Sequence, residues 1–438
     1  MVFRKYRAVK QWGKMDTRIF KEIYNSRNKR KMPAFEVPEA VKALNVAIYE
    51  PNDQLKLVPC YNTHKFDHFV KEETGKTEKK VENYGEPSAT SHPNQKSQPA
   101  YIFEGAEPMS DGIAQAALLT RSIVRNGLPE AILHNSAAKL EISEETVRDA
   151  ILHGERYDPT LEKLPARFDP VMFWIRHVRL HGTPVLKRNN IILDNLLRQV
   201  VFAGLRTNSF PKTLQINRDE PLSVKLSGGQ FFSKMPAIFR AQPHLTVQAQ
   251  HDCVVQPWAG KLDIEAASAL PLPDIYPICP TIDLPRDTIY HDDLLLTRRS
   301  QPINIHSVLW AREQDQKYPW TTEQNMANAI LTTYAAAVAQ ATRDPKHKFQ
   351  KPVLVRGVQL VNGRLDLVAF QLNTLNLTGQ GQADNDDDVK NIVWIEKGIR
   401  LYKPKPFYEP MEFVEKLDMD VFRKFVALMH GFDAIHAH

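Results

Sequence analysis

The chain has 438 residues, 42% hydrophobic and 25% charged, which excludes a wholly disordered polypeptide and leaves room for about three domains of ~150 residues. Its three cysteines, Cys60, Cys253 and Cys279, are far apart and odd in number; they argue against a disulfide framework or a paired-cysteine zinc site and fit a reducing compartment. No apolar run approaches the ~18 residues of a membrane span, and the N-terminal stretch lacks the uninterrupted apolar core of a secretory signal.

The formal charge of +6 is unevenly distributed. Residues 1–31 carry eleven basic and two acidic side chains, a net of +9, which leaves −3 on the rest. A basic tail on a near-neutral body is the pattern of a chain that holds a polyanion by one end. Arg4, Lys5, Arg7, Lys10, Lys14, Arg18, Arg27, Lys29, Arg30 and Lys31 are therefore candidate RNA-contacting residues. Tyr6, Trp12, Phe20 and Tyr24 interleave with them, which suits an RNA-binding arm and a mitochondrial targeting segment equally. Residues 1–32 are read as this arm or targeting segment, 33–100 as an irregular segment and polar linker, and 101–438 as the body. Within the linker, Leu55 to Val58 reads as a strand and Lys71 to Gln98 as too polar to bury a core.

In the body, Ser110 is placed to cap a helix through Ile113, Ala117, Thr120 and Val124 that ends at Asn126-Gly127. A second helix is expected from Ser143 to Leu152, opening with acids. Phe168 to His177 reads as a strand, and Asn190 as the cap of a helix closing near Gly204. Lys212–Asn217 and Leu222–Leu226 read as a hairpin. Recurrent prolines between Pro236 and Pro285, among thirty in the chain, predict mainly irregular, extended chain there. Thr321 and Gln324 have capping-box spacing and open an alanine-rich helix that stops before Pro345.

The strongest local signal is Pro352 to Leu377. Asn362-Gly363 supplies the two positive-φ positions of a type I′ turn, so Val361 should face Arg364, Leu360 Leu365, Val358 Leu367, Val355 Phe370 and Val353 Leu372. Both faces of this hairpin are apolar and need cover. Asn391 to Ile395 should add a third strand, and a last helix should run from Asp418 or Asp420 to Gly431. The expected fold is α+β, a central mixed or antiparallel sheet containing the 352–377 hairpin, covered by helices, with long Pro-rich extended connections.

Motifs for catalysis are absent or incomplete. Leu226-Ser227-Gly228-Gly229-Gln230 matches the signature of ATP-binding-cassette ATPases, but the chain has no Walker A loop to supply the nucleotide. His64 and His68 lack a third ligand, and His251-Asp252-Cys253 are neighbours in sequence, which site partners rarely are. Asp384 to Asp388 lacks the glycine and glutamate of a calcium loop. Arg298, Arg299, Lys346 to Lys348, Lys403 and Lys405 are secondary candidates for RNA contact.

Several segments carry a family resemblance. Pro352-Val353-Leu354-Val355, Phe370-Gln371-Leu372-Asn373-Thr374, Lys390-Asn391-Ile392-Val393-Trp394 and Phe422 to Leu428 resemble the C-terminal region of the mitochondrial ribosomal proteins thirty-seven and thirty (programmed cell death protein nine). Gly127 to Glu130, Asn195 to Leu197 and Tyr276 to Leu284 look more like the thirty-seven branch of the large subunit. The resemblance covers roughly residues 101–430 in patches. It implies a structural component of the mitochondrial ribosome in the matrix, without catalysis, cofactor or metal. Ribosomal RNA and neighbouring large-subunit proteins, the paralogue included, would be its partners, with no membrane span. The rival reading is a mitochondrial RNA-processing or hydrolytic enzyme using Cys279 or the His64 and His68 pair.

Overall fold

The computed structural model describes residues 39–44, 89–136, 142–156, 162–164, 166, 171–206, 214–226, 235–250, 257–278, 286–292, 294–295, 303–314, 318–342, 352–375, 389–405 and 413–430. The chain divides after Tyr84 into two units. Of the first, the helix Glu39–Ala43 is described; every other described element belongs to the second.

The hairpin lies near the middle of a seven-stranded sheet. Strands β12 (Val353–Val361) and β13 (Arg364–Leu372) pair antiparallel in the register set by the turn, from Val361 opposite Arg364 to Val353 opposite Leu372. Asn362 and Gly363 sit at φ 50° and 71°, the left-handed positions that turn demands. Outward from β13 come β14 (Asn391–Arg400), antiparallel, and β2 (Ser122–Asn126), parallel to β14. Outward from β12 come β11 (Ile303–Arg312), parallel, then β8 (Leu245–Gln250) and β5 (Gln215–Arg218), both antiparallel.

Both hairpin faces are covered. Val355, Val368, Phe370 and Leu372 pack on helix α6 (Thr322–Ala341), where the Tyr334 and Phe370 rings lie 5.6 Å apart. Val358, Leu360, Leu365, Leu367 and Ala369 face α4 (Val185–Arg206) and α7 (Met419–His430), through Ile192, Leu196, Val200, Phe422, Phe425 and Leu428. Burying a large apolar side chain fully contributes about 1.5–3 kcal/mol, so this two-sided core dominates stability. Helix α6 opens as its sequence dictates. Thr321 Oγ1 accepts from the Gln324 amide at 3.2 Å, and Gln324 Oε1 accepts from the Thr321 amide at 2.9 Å.

Beyond α6 lies a second sheet of five strands in the order β10-β6-β7-β1-β9, namely Leu294–Leu295, Leu222–Leu226, Ala237–Ala241, Gln95–Phe103 and Arg286–Ile289. Leu222, Val224, Leu226, Ala237 and Phe239 close on the far side of α6, which is buried between two sheets. Helix α1 (Gly112–Leu119) packs beside α6, α2 spans Glu130–Ser136, α3 (Glu144–Glu155) pairs with α4, and α5 spans Lys261–Ala269. The α3 helix starts at the expected cap, Ser143, whose hydroxyl accepts from the Thr146 amide.

Several expectations are corrected. The helix after Ser110 stops at Leu119, and Arg121 turns the chain at φ 48° into strand β2; Ser110 is not its cap, which is Asp111. Helix α4 begins five residues before Asn190. Residues 171–177 form no strand, because no neighbour pairs their backbone. Lys212–Asn217 and Leu222–Leu226 do not form a hairpin: β5 pairs with β8 and β6 with β7, after Asp219 redirects the chain at φ 51°. The Pro-rich 236–285 stretch holds β7, β8 and α5, its prolines 236, 243 and 257 standing at element ends where no ladder donor is lost. Strand β1 starts at Gln95, inside the presumed linker, because β9 pairs with its polar outer half through an irregular register. The strand expected at Leu55 to Val58 lies outside the described residues.

Candidate functional site

The ten candidates of the basic arm, from Arg4 to Lys31, lie outside the described residues, as do the secondary candidates Arg298, Arg299 and Lys346 to Lys348 and the residues His64, His68, Cys253, Cys279 and Asp384 to Asp388. Lys403 and Lys405 are described, and both approach Glu415, at 3.2 and 3.9 Å. Their charge therefore pins the chain after β14 to the segment leading into α7.

The most developed polar cluster lies under the N-terminal turn of α6. The Gln359 side chain on β12 is fully buried, and its amide is fully used. Its Oε1 accepts from Trp310 Nε1 and Asn328 Nδ2, both at 2.9 Å, while its Nε2 donates to the Asn325 carbonyl at 3.0 Å and to Asp366 Oδ2 at 3.1 Å. Asp366 Oδ1 in turn accepts from the Gly398 amide at 2.7 Å, at the β14 bulge where Gly398 takes φ 59°. Burial raises the Asp366 pKa to about 6, against the opposing hydrogen bonds from Gly398 and Gln359. Such a network orients strands and helix in one way only.

Three further clusters join elements distant in sequence. Glu155 at the end of α3 accepts from Arg188 Nη1 of α4 at 2.8 Å and from the Tyr402 hydroxyl at 2.9 Å. Burial first, and the Glu155 charge second, push the Tyr402 phenol well above its ordinary range. His244 lies between Asp194 of α4, 3.3 Å from Nε2, and Asp219, 3.4 Å from Nδ1. The Asp194 carboxylate, helped by Asp219, holds the His244 pKa above 6.5 although burial opposes it. Arg356 is buried 5.2 Å from the Trp258 ring, and His306 beside it is held neutral by burial, with Arg356 and His430 acting the same way. Sequence reasoning singled out none of these, because the partners of each cluster come from separate elements. Among the described residues no group of three or more His, Cys, Asp and Glu is placed to hold a metal ion.

One open recess of about 590 Å³ lies at the start of α6, lined by Pro108, Arg312, Glu313, Tyr318, Trp320 and Gln324. Its guanidinium is already engaged: Arg312 stacks on Trp320 and donates to Asn325 Oδ1 at 2.9 Å, and burial lowers its pKa to about 10.

Among the described residues the most conspicuous surface feature is the stretch Val171–Leu180, which follows β3 (Glu162–Lys163) and leads into β4 (His181–Gly182). These two short strands pair, and the Leu164 amide donates to the Leu180 carbonyl at 2.8 Å, so the loop is clasped at its base. Met172 to Ile175 form a turn closed at 3.0 Å. Val171, Met172, Phe173, Trp174, Ile175 and Val178 are all exposed.

The class so defined is a layered α+β protein whose buried polar groups join its own elements and whose apolar loop faces outward. No helix among the described residues is long and apolar enough to cross a membrane. No family profile matches the chain. It is similar to the large ribosomal subunit protein mL37 of Rattus norvegicus, 25% identical over 361 residues that cover 77% of both chains. The mL37 proteins of Gallus gallus and Mus musculus are 26% and 27% identical, each over 77% of this chain and 76% of the relative. The extent of these matches supports assignment of the chain to the mL37 family.

Proposed function

We propose that this protein is a structural constituent of the large subunit of the mitochondrial ribosome and acts in the mitochondrial matrix in support of translation. The observation that carries this reading is the similarity to mL37 proteins along more than three quarters of the chain. The fold suits it: the described titratable clusters bridge helices and strands of the same chain. The comparisons favour no hydrolytic or RNA-processing chemistry.

Ribosomal RNA and adjacent large-subunit proteins, among them the paralogue, are the partners of this reading. The basic arm from Arg4 to Lys31, together with Arg298 and Arg299, would neutralise phosphates and release counterions. Sedimentation of tagged protein from lysed mitochondria, in magnesium and again after RNase, tests the assignment. Migration with the large subunit that RNase abolishes is expected; a light, RNase-insensitive peak would overturn it.

A further inference from the structure

We infer that the loop Val171–Leu180 is a docking knob for a neighbouring protein, one that offers an apolar cleft rimmed by carboxylates. The inference takes only the setting of that encounter, the large subunit, from the function proposed above.

The loop exposes what a folded chain normally hides. Val171 is 76% exposed, Phe173 68%, Trp174 66% and Val178 84%. Single exposed apolar side chains need no explanation, but six within the eight residues from Val171 to Val178 mark an interaction site. The Met172–Ile175 turn shapes the apolar stretch and the β3–β4 pair anchors its far end at Leu180, which reduces the ordering cost of docking.

Chemistry selects the occupant. Val171, Met172, Ile175 and Val178, four of the six exposed apolar side chains, have no π face on which a base could stack. The Phe173 and Trp174 rings meet edge to face, with centroids 5.0 Å apart and planes at 81°. They present a compact block instead of parallel plates on which successive nucleotides stack. Trp, Phe and Met at the centre with Arg around them is the composition of protein interface cores. Between Val171 and Gly182 the chain carries Arg176 and Arg179 and no acid, and both arginines are exposed. Charge complementarity then places Asp or Glu at the rim of the partner cleft.

The test uses full-length protein with photoreactive benzoylphenylalanine at Phe173, and at exposed Leu262 of α5 as the control. The chain is expressed in mitochondria, its gradient fractions are irradiated, and the products are mapped by mass spectrometry. The expected result is one adduct, specific to position 173, with a protein site combining apolar residues and flanking carboxylates. Arg176→Glu with Arg179→Glu should lower its yield about tenfold while the melting temperature stays unchanged. An RNase-sensitive adduct, a lipid adduct, a dimer of this chain, a site without carboxylates or no adduct specific to position 173 would each overturn the proposal. Irradiation is applied to whichever fractions hold the protein. Failure to sediment with the large subunit therefore counts against the proposed function, and the identity of the adduct counts for or against the knob.

Discussion

Gly357 in the middle of β12 lies so close to Thr333 of α6 that a β-carbon on it would stand 1.9 Å from Thr333 Oγ1 and 3.1 Å from Thr333 Cβ. The alanine-rich helix can press on the sheet because this one strand position has no side chain. Thr333 Oγ1 meanwhile donates to the Ala329 carbonyl at 2.7 Å, so its rotamer is held.

Gly357→Ala should therefore destabilise the fold by about 1–3 kcal/mol through overpacking. Adding Thr333→Ala should recover part of the loss, so the double variant is more stable than the sum of the single effects predicts. Urea unfolding of the four proteins measures this. Additive costs would show that the contact is not what spaces helix and sheet.

Asp366 gives a stability that depends on pH. Its folded pKa of about 6 exceeds the ordinary 3.8, so the native state holds the proton more tightly than the unfolded chain between those values. Stability then falls as pH rises through that window, by an amount of order 2–3 kcal/mol. Asp366→Asn should remove this slope, read from unfolding midpoints between pH 4 and pH 6.

His244 works in a different window. Its folded pKa is raised above 6.5, so the bond to Asp194 and Asp219 stabilises fully below 6.5 and weakens as pH rises through the folded value. His244→Gln, or Asp194→Asn, should flatten stability on the alkaline side of 6.5 in the same measurement, with little change in its acid limb.

The Glu155, Arg188 and Tyr402 cluster should respond asymmetrically. Glu155→Gln leaves the buried Arg188 guanidinium without its carboxylate and should cost about 3–5 kcal/mol. Glu155→Leu combined with Arg188→Met should cost much less, because two apolar side chains replace two desolvated charges. Thermal unfolding compares them; equal costs would mean that packing, not charge, sets the penalty.

The hairpin was legible to the residue because Asn362-Gly363 fixes a register and the apolar residues on both sides agree with it. The α6 cap was legible for a similar reason: Thr321 and Gln324 contact each other locally. Strand β2 was not, since Ile123 and Val124 also satisfy helical spacing, and only the turn at Arg121 separates the two elements. The second sheet was hidden as well, because its neighbours β1 and β7 are distant in sequence and pair in parallel. Of the functional surface, sequence composition picks out the basic arm, whereas the loop at Phe173 and Trp174 read as an ordinary strand: exposure is a property of the fold, not of the string.

The parallel pairing of β2 with β14 sets a schedule for synthesis. Ser122 finds its partner at Asn391, whose side chain also donates to the Thr120 carbonyl at 3.0 Å. At ~5–20 residues per second a ribosome needs roughly 15–50 seconds to make the intervening chain. Through that interval the nascent β2 presents Ile123 and Val124 with an unfilled strand edge, which is open to mispairing until Asn391 to Ile395 arrive.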